Sequence, residues 1–124
     1  MARILICDDA RFMRLMLSRI ISKMGHEVVG EASNGEEAVK LYQTLRPDII
    51  TLDVVMPKMD GLNALRRILA LDPEAKVLMV TAIGNQTMVL NAMRLGAREY
   101  VVKPFRIGEV VRAVNKLLTV RSYR

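Results

Sequence analysis

Five short apolar runs, each followed by a segment of helical period, constrain this chain more than any other feature. The third run shows the pattern best. Ile49, Ile50, Thr51 and Leu52 stand between Pro47-Asp48 and a stretch broken by Pro57 and Asp60-Gly61. A run of that length between breakers reads as a strand buried on both faces. Residues 3–7 (RILIC) and 76–82 (KVLMVTA) read the same way. His26 to Ala32 is more polar, as an edge strand should be, and Arg98 to Val102 makes a short fifth strand.

The intervening segments carry period 3.6. From about Ala10 to Met24, Phe12, Met13, Met16, Leu17, Ile20, Ile21 and Met24 form an apolar face. Arg11, Arg14, Arg19 and Lys23 take the opposite, solvated face, and Gly25 supplies the stop. Asn34-Gly35 suggests a hairpin, but Ala38, Leu41, Tyr42 and Leu45 repeat at three and four, so a helix follows instead. Asn34 and Glu37 have capping-box spacing, with Asn in place of Ser or Thr. A third helix runs from about Leu62 to Leu71, burying Leu65, Ile68 and Leu69, and Asp72-Pro73 ends it. Asn85 to Leu95 is a fourth helix, closed by Gly96. Ile107, Val110, Val111, Val114, Leu117 and Leu118 make the inner stripe of a fifth, and the tail from Thr119 to Arg124 is expected to fray.

Strand and helix alternating five times imply a parallel sheet between two helical layers, in one domain over residues 1–124. At 52% hydrophobic residues the chain can fill such a core. No apolar run approaches the roughly 20 residues of a membrane helix. Met1-Ala2-Arg3 leads straight into a strand, leaving no room for a signal peptide. The single cysteine, Cys7, lies inside an apolar run and reads as a small buried hydrophobe. These features together point to a cytoplasmic chain. Net charge is +6, unevenly placed: residues 1–60 carry −1 and residues 61–124 carry +7. A basic half suits an anionic partner, although a solvated basic surface explains it equally well.

Candidate chemistry collects at the strand ends. The first strand ends in Asp8-Asp9, the third in Asp53, the fourth in Thr81 and the fifth in Lys103. Ligands of open parallel sheets bind just beyond the carboxyl ends of strands. The strand order 2-1-3-4-5 is adopted from known folds of this architecture, because the residues alone do not dictate one. In that order the four ends converge at the switch point. Three carboxylates within a few ångströms repel one another, and a hard divalent cation such as Mg²⁺ resolves the conflict. Asp53 can then act as a nucleophile toward phosphorus, with Mg²⁺ and Lys103 offsetting the incoming negative charge. Taken singly, each residue has a bland reading: a helix cap, a solvated lysine, a strand-end threonine. The five together are hard to assign to chance.

Nearly the whole chain resembles a response-regulator receiver domain, a flavodoxin-like (βα)5 fold. The matching elements are the acidic pair in ILICDD, the acceptor in LDVVMPKMDG, the VTA of the fourth strand and YVVKPF at the fifth. The opening DDARFMR is most similar to the stand-alone chemotaxis regulators of that family. The resemblance implies that Asp53 is phosphorylated by a histidine kinase. It also implies that Asp9, Asp53 and the main-chain carbonyl of Val55 hold Mg²⁺, with Asp8 assisting through water. Thr81 and Lys103 would contact the phosphoryl group, Tyr100 would be the aromatic that swings inward, and Lys103-Pro104 would be cis. The protein would catalyse its own phosphorylation and slow dephosphorylation while turning over no metabolite. Val55 and Ile83 occupy two positions that tune phosphoryl lifetime, and both are apolar where well-known chemotaxis regulators carry polar groups.

The output face expected from the resemblance is the fourth helix, fifth strand and fifth helix. It would carry Arg94, Arg98, Lys103, Arg106, Arg112, Lys116 and Arg121 against Glu99 and Glu109. Such a rim suits an acidic segment, as on a flagellar switch protein, bound by a monomer. Other functions fit less well. A nucleotide or flavin site needs a glycine- or hydroxyl-rich loop after the first strand, which DDARFMR lacks. A dehalogenase-like phosphatase wants Asp-x-Asp there. The only histidine, His26, opens a strand at the far end of the sheet, against a histidine phosphocarrier. No segment is left for a recognition helix, so direct nucleic-acid binding is not expected. The alternative is a receiver cut from a longer regulator, with the closing RSYR as the start of a linker to a DNA-binding or other output domain.

Overall fold

Strand and helix alternate without exception from β1 (Arg3–Cys7) to α5 (Ile107–Thr119) in the computed structural model, which describes residues 1–119. Between them lie α1 (Arg11–Lys23), β2 (Glu27–Ala32), α2 (Gly35–Leu45), β3 (Ile49–Leu52), α3 (Gly61–Leu71), β4 (Val77–Thr81), α4 (Gln86–Leu95) and β5 (Glu99–Val102). The five strands form one parallel sheet in the order β2-β1-β3-β4-β5. The three apolar runs that read as doubly buried strands are its centre: every residue of β3 and β4 is buried, and all of β1 after Arg3. The more polar β2 is an edge, and short β5 is the other.

Alternation along each strand divides the core in two. Leu5, Cys7, Ile50, Leu52, Val77 and Met79 point toward α2, α3 and α4, meeting Tyr42, Leu65, Ile68 and Ala92. Ile4, Ile6, Ile49, Leu78, Val80 and Val101 point the other way, onto Leu17, Ile20 and Ile21 of α1 and Val110, Val114 and Leu117 of α5. Each fully buried Ile or Leu contributes about 1.5–3 kcal/mol relative to exposure, so the two clusters hold the helices to the sheet.

Helix starts follow their caps. Asn34 accepts a hydrogen bond from the Glu37 amide at 2.9 Å, as the spacing suggests. The return half of the motif differs, because the Glu37 carboxylate accepts from the Ser33 amide (2.8 Å) instead of that of Asn34. Asp60, read from sequence only as a breaker, caps α3 by accepting from the Asn63 amide at 2.9 Å. Asn85 caps α4 in the same way, and Gly96 closes that helix in the left-handed region.

Three side-chain expectations are corrected. Phe12 (69% exposed) and Ile107 (65%) stand in solvent and not on the buried stripes. Both lie in the first turn of a helix, which starts in the loop beyond a strand's carboxyl end and so projects past the sheet that would cover it. Arg14 is not on a solvated face: its side chain is only 16% exposed. Arg121 and the rest of the expected fraying tail beyond Thr119 lie outside the described residues.

Candidate functional site

Register brings the strand ends together. Cys7 pairs with Leu52, Leu52 with Met79 and Met79 with Tyr100, so Asp8 and Asp53 leave neighbouring strands at one level. The Asp53 amide continues the ladder by donating to the Cys7 carbonyl (3.2 Å), and the Asp8 amide donates to that of Ala32 (3.0 Å). One pairing further along, Thr81 lies beside Val102, and the Lys103 amide donates to the Thr81 carbonyl at 2.9 Å. The Lys103-Pro104 bond is cis, as expected.

The side chains converge as the sheet places them. Lys103 Nζ lies 2.6 Å from Asp8 Oδ2 and 2.8 Å from Asp53 Oδ2, bridging two carboxylates that are 1% and 7% exposed as residues. Asp9 is exposed, yet it offers an oxygen that lies within 4.8 Å of one from Asp8 and one from Asp53. Burial alone would pull the Lys103 pKa down. The hydrogen bonds and charges of Asp53 and Asp8 outweigh that and hold it above the ordinary lysine value. Lys103 therefore belongs to the pocket and not to the basic rim assigned to the fourth helix, fifth strand and fifth helix.

The remaining oxygens of the two buried aspartates are also placed. Asp53 Oδ1 accepts from the Val55 amide (3.2 Å), and Asp8 Oδ1 accepts from that of Ala10 (2.9 Å). The first contact sets the Val55 main chain beside the Asp53 carboxylate while its side chain stays 59% exposed. Thr81 is buried, and its Oγ1 accepts a long bond from the Ile83 amide at 3.4 Å. Among the described residues no acceptor receives the Thr81 hydroxyl proton. Tyr100 is half-buried against the α2–α4 cluster, and its hydroxyl donates to the Ile83 carbonyl. Desolvation, and then the charge of Asp53, raise the Tyr100 pKa. Ile83 packs on that same cluster, whereas the Val55 side chain stands in solvent.

An all-oxygen, anionic donor set is what a small hard cation requires, and the residues present fit Mg²⁺. Cys7 takes no part: it is buried beside the site, and burial pushes its thiol pKa well up. His26 is at the amino end of β2, where its Nδ1 accepts from the Ala2 amide at 3.0 Å, far from the carboxyl ends.

Two supporting residues were not identified from sequence. Gly61 lies so close to the end of β3 that an added Cβ would fall 1.9 Å from the Asp53 carbonyl oxygen. The Asp60-Gly61 pair signalled a turn but not this approach. Arg14 reaches back over the first turn of α1, donating from Nη1 to the Asp8 carbonyl (2.6 Å) and from Nε to Glu31 Oε1 (2.9 Å). A basic residue on a helix gives no sign of facing inward.

Known proteins are similar to this chain over almost its whole length. The chemotaxis protein CheY of Thermotoga maritima is 51% identical over 115 residues, 93% of this chain and 96% of that protein. CheY of Bacillus subtilis is 48% identical over 116 residues, 94% of this chain and 97% of that protein. A crystal structure of the CheX-CheY-BeF3-Mg²⁺ complex from Borrelia burgdorferi contains a chain that superposes with a TM-score of 0.93 at 35% identity. The match covers 95% of this chain and 90% of that one. The family model described as the response regulator receiver domain matches residues 4–115, which span every element from β1 into α5. With a family model matched over residues 4–115 and relatives about half identical over nearly the whole chain, the chain belongs to the response regulator receiver domain family of two-component systems, and within it is similar to the CheY chemotaxis regulators.

Proposed function

We propose that Asp53 accepts a phosphoryl group from the phosphohistidine of a histidine kinase, and that the chain is a switch set by that modification. A carboxylate oxygen of Asp53 forms the new P–O bond as the P–N bond to the donor imidazole breaks, and the bonding pair leaves on the imidazole nitrogen. The observation that carries this reading is the bridge from Lys103 to both Asp8 and Asp53. It keeps an ammonium beside the nucleophile, ready to be shared with an incoming phosphoryl oxygen. Asp9, Asp53 and the Val55 main-chain carbonyl would hold Mg²⁺, with Asp8 assisting through water. When bound, the ion offsets charge on the transferring group.

Thr81 moves toward the phosphoryl group and its hydroxyl donates a hydrogen bond to a phosphoryl oxygen. That movement pulls on the Ile83 main chain, where Tyr100 is attached. Signalling then passes to the face made by α4, β5 and α5, and an acidic segment such as that of a flagellar switch protein binds there. The similarity to CheY supports chemotaxis as the process and the cytoplasm as the site of action. No helix among the described residues is long and apolar enough to cross a membrane.

The test is direct. Incubation with acetyl phosphate or phosphoramidate and Mg²⁺ should add one phosphoryl group by intact mass, and Asp53→Asn should abolish it. Undiminished labelling of that variant would overturn the assignment.

A further inference from the structure

We propose that Arg14 is a positioning residue for the metal-binding turn, acting through the main chain of Asp8. The inference rests on the reading that the acidic pocket holds Mg²⁺.

The Asp8-Asp9 turn has to place two adjacent carboxylates differently, one buried against Lys103 and one exposed toward the pocket. Little in the turn itself holds it. Ala10 is the N-cap of α1 and has no side chain to cap it, and the first turn of α1 has no acidic residue. Asp8 uses one oxygen on the Ala10 amide and the other on Lys103.

Arg14 closes the remaining gap. Its Nη1 donates to the Asp8 carbonyl, and its Nε is anchored on Glu31 of β2. The next residue of β2, Ala32, accepts from the Asp8 amide. Both main-chain polar atoms of Asp8 are therefore tied to the end of β2, one directly and one through the Arg14–Glu31 pair. A planar guanidinium suits the role because it donates along two fixed directions, whereas an ammonium is a rotatable point charge. A typical arginine on a helix is solvated, whereas this one is mostly covered.

The sign of the effect separates positioning from charge. Arg14 is a cation near a cation site, so by electrostatics alone its removal should tighten Mg²⁺ binding. If it positions the turn, removal should weaken binding, by about 10-fold, as loss of a residue that orients a metal ligand typically does. Arg14→Lys keeps the charge and loses the fork, and it should weaken binding as well. Glu31→Gln keeps an acceptor oxygen for Nε but loses the charge assistance, so it should weaken binding in the same direction and by less than either Arg14 variant.

The experiment is titration of Mg²⁺ into wild type, Arg14→Ala, Arg14→Lys and Glu31→Gln, followed by calorimetry and by NMR shifts of residues 8–10. Each is run well below the variant's own unfolding temperature. Weaker binding by the folded Arg14→Ala or Arg14→Lys variant supports the proposal. Unchanged or tighter binding by whichever of the two folds overturns it, and a lowered Tm with unchanged affinity shows a merely structural arginine. If neither variant folds, Arg14 is needed for the fold itself and the proposal also falls. Absence of Mg²⁺ binding by wild type removes the underlying reading as well, a result distinct from failure of the variants alone.

Discussion

At the scale of single residues, the pocket separates charge balance from lifetime. Charge balance is the work of Lys103, held between Asp8 and Asp53. On the proposed phosphorylation of Asp53, lifetime would depend on whether a polar group can position water at the phosphoryl group, and Val55 and Ile83 offer none. The Val55 side chain is exposed and Ile83 packs on the α2–α4 core cluster. Dephosphorylation should accordingly be slow. The double variant Val55→Asn with Ile83→Glu should lose its phosphoryl group about 100-fold faster, the low side of what a positioned polar side chain contributes. The rate is read after removing the donor. A double variant no faster than wild type would show that the apolar pair is not the brake.

At the scale of elements, the acceptor strand and its neighbours are held by close approach as much as by apolar packing. Helix α3 starts at Gly61, whose amide donates to the Val54 carbonyl at 2.8 Å and whose α-carbon faces the Asp53 carbonyl. Gly61→Ala forces a Cβ into that oxygen. It should cost about 3 kcal/mol or more, at the upper end for overpacking, and slow phosphorylation by moving Asp53; thermal unfolding and mass labelling read the two effects. At the far end of the same helix, the Tyr42 hydroxyl of α2 donates to Asp72 Oδ2 at 2.7 Å. Burial first, and then this hydrogen bond and the Asp72 charge, raise the Tyr42 pKa. The folded state thus retains this proton more firmly than the unfolded chain does. The contribution is complete below the ordinary tyrosine value of about 10 and fades as pH rises above it. Tyr42→Phe should lower stability by about 1 kcal/mol at neutral pH, and the difference from wild type should shrink in denaturant titrations carried into the alkaline range.

At the scale of the whole molecule, the sheet order sets the proposed output face. Edge strand β5 lies between α4 on one side of the sheet and α5 on the other. Lys116 pairs with Glu99 at 3.6 Å, and Glu109 accepts from the Arg106 amide. Arg94, Arg98, Arg106 and Arg112 have no carboxylate partner among the described residues, so the rim remains basic after Lys103 is assigned to the pocket. Leu90, Met93 and Val102 add exposed apolar surface. Beryllofluoride with Mg²⁺ should shift NMR resonances across residues 83–116. An acidic peptide should bind there more tightly in that state, and more weakly as salt rises. Shifts that avoid this face, or binding indifferent to salt, would reject it as the output.

The alternation of apolar runs and helical periods was enough to give strands, helices and their layering, because a buried parallel strand and an amphipathic helix each leave a local pattern. The same holds for Asp8, Asp9, Asp53, Thr81 and Lys103, since each directly follows or ends such a run. Strand order had to be adopted from known folds, because nothing local to β1 says that β3 and not β2 continues the sheet toward β4. The sequence also could not show that Lys103 bridges Asp8 and Asp53 together, that Arg14 turns inward, or that the first turns carrying Phe12 and Ile107 overhang the sheet. Those depend on contacts between residues far apart in the chain, as with Lys103 and Asp8 at 95 positions' separation. Such contacts exist only once the strand ends are side by side, so only the tertiary structure could decide them.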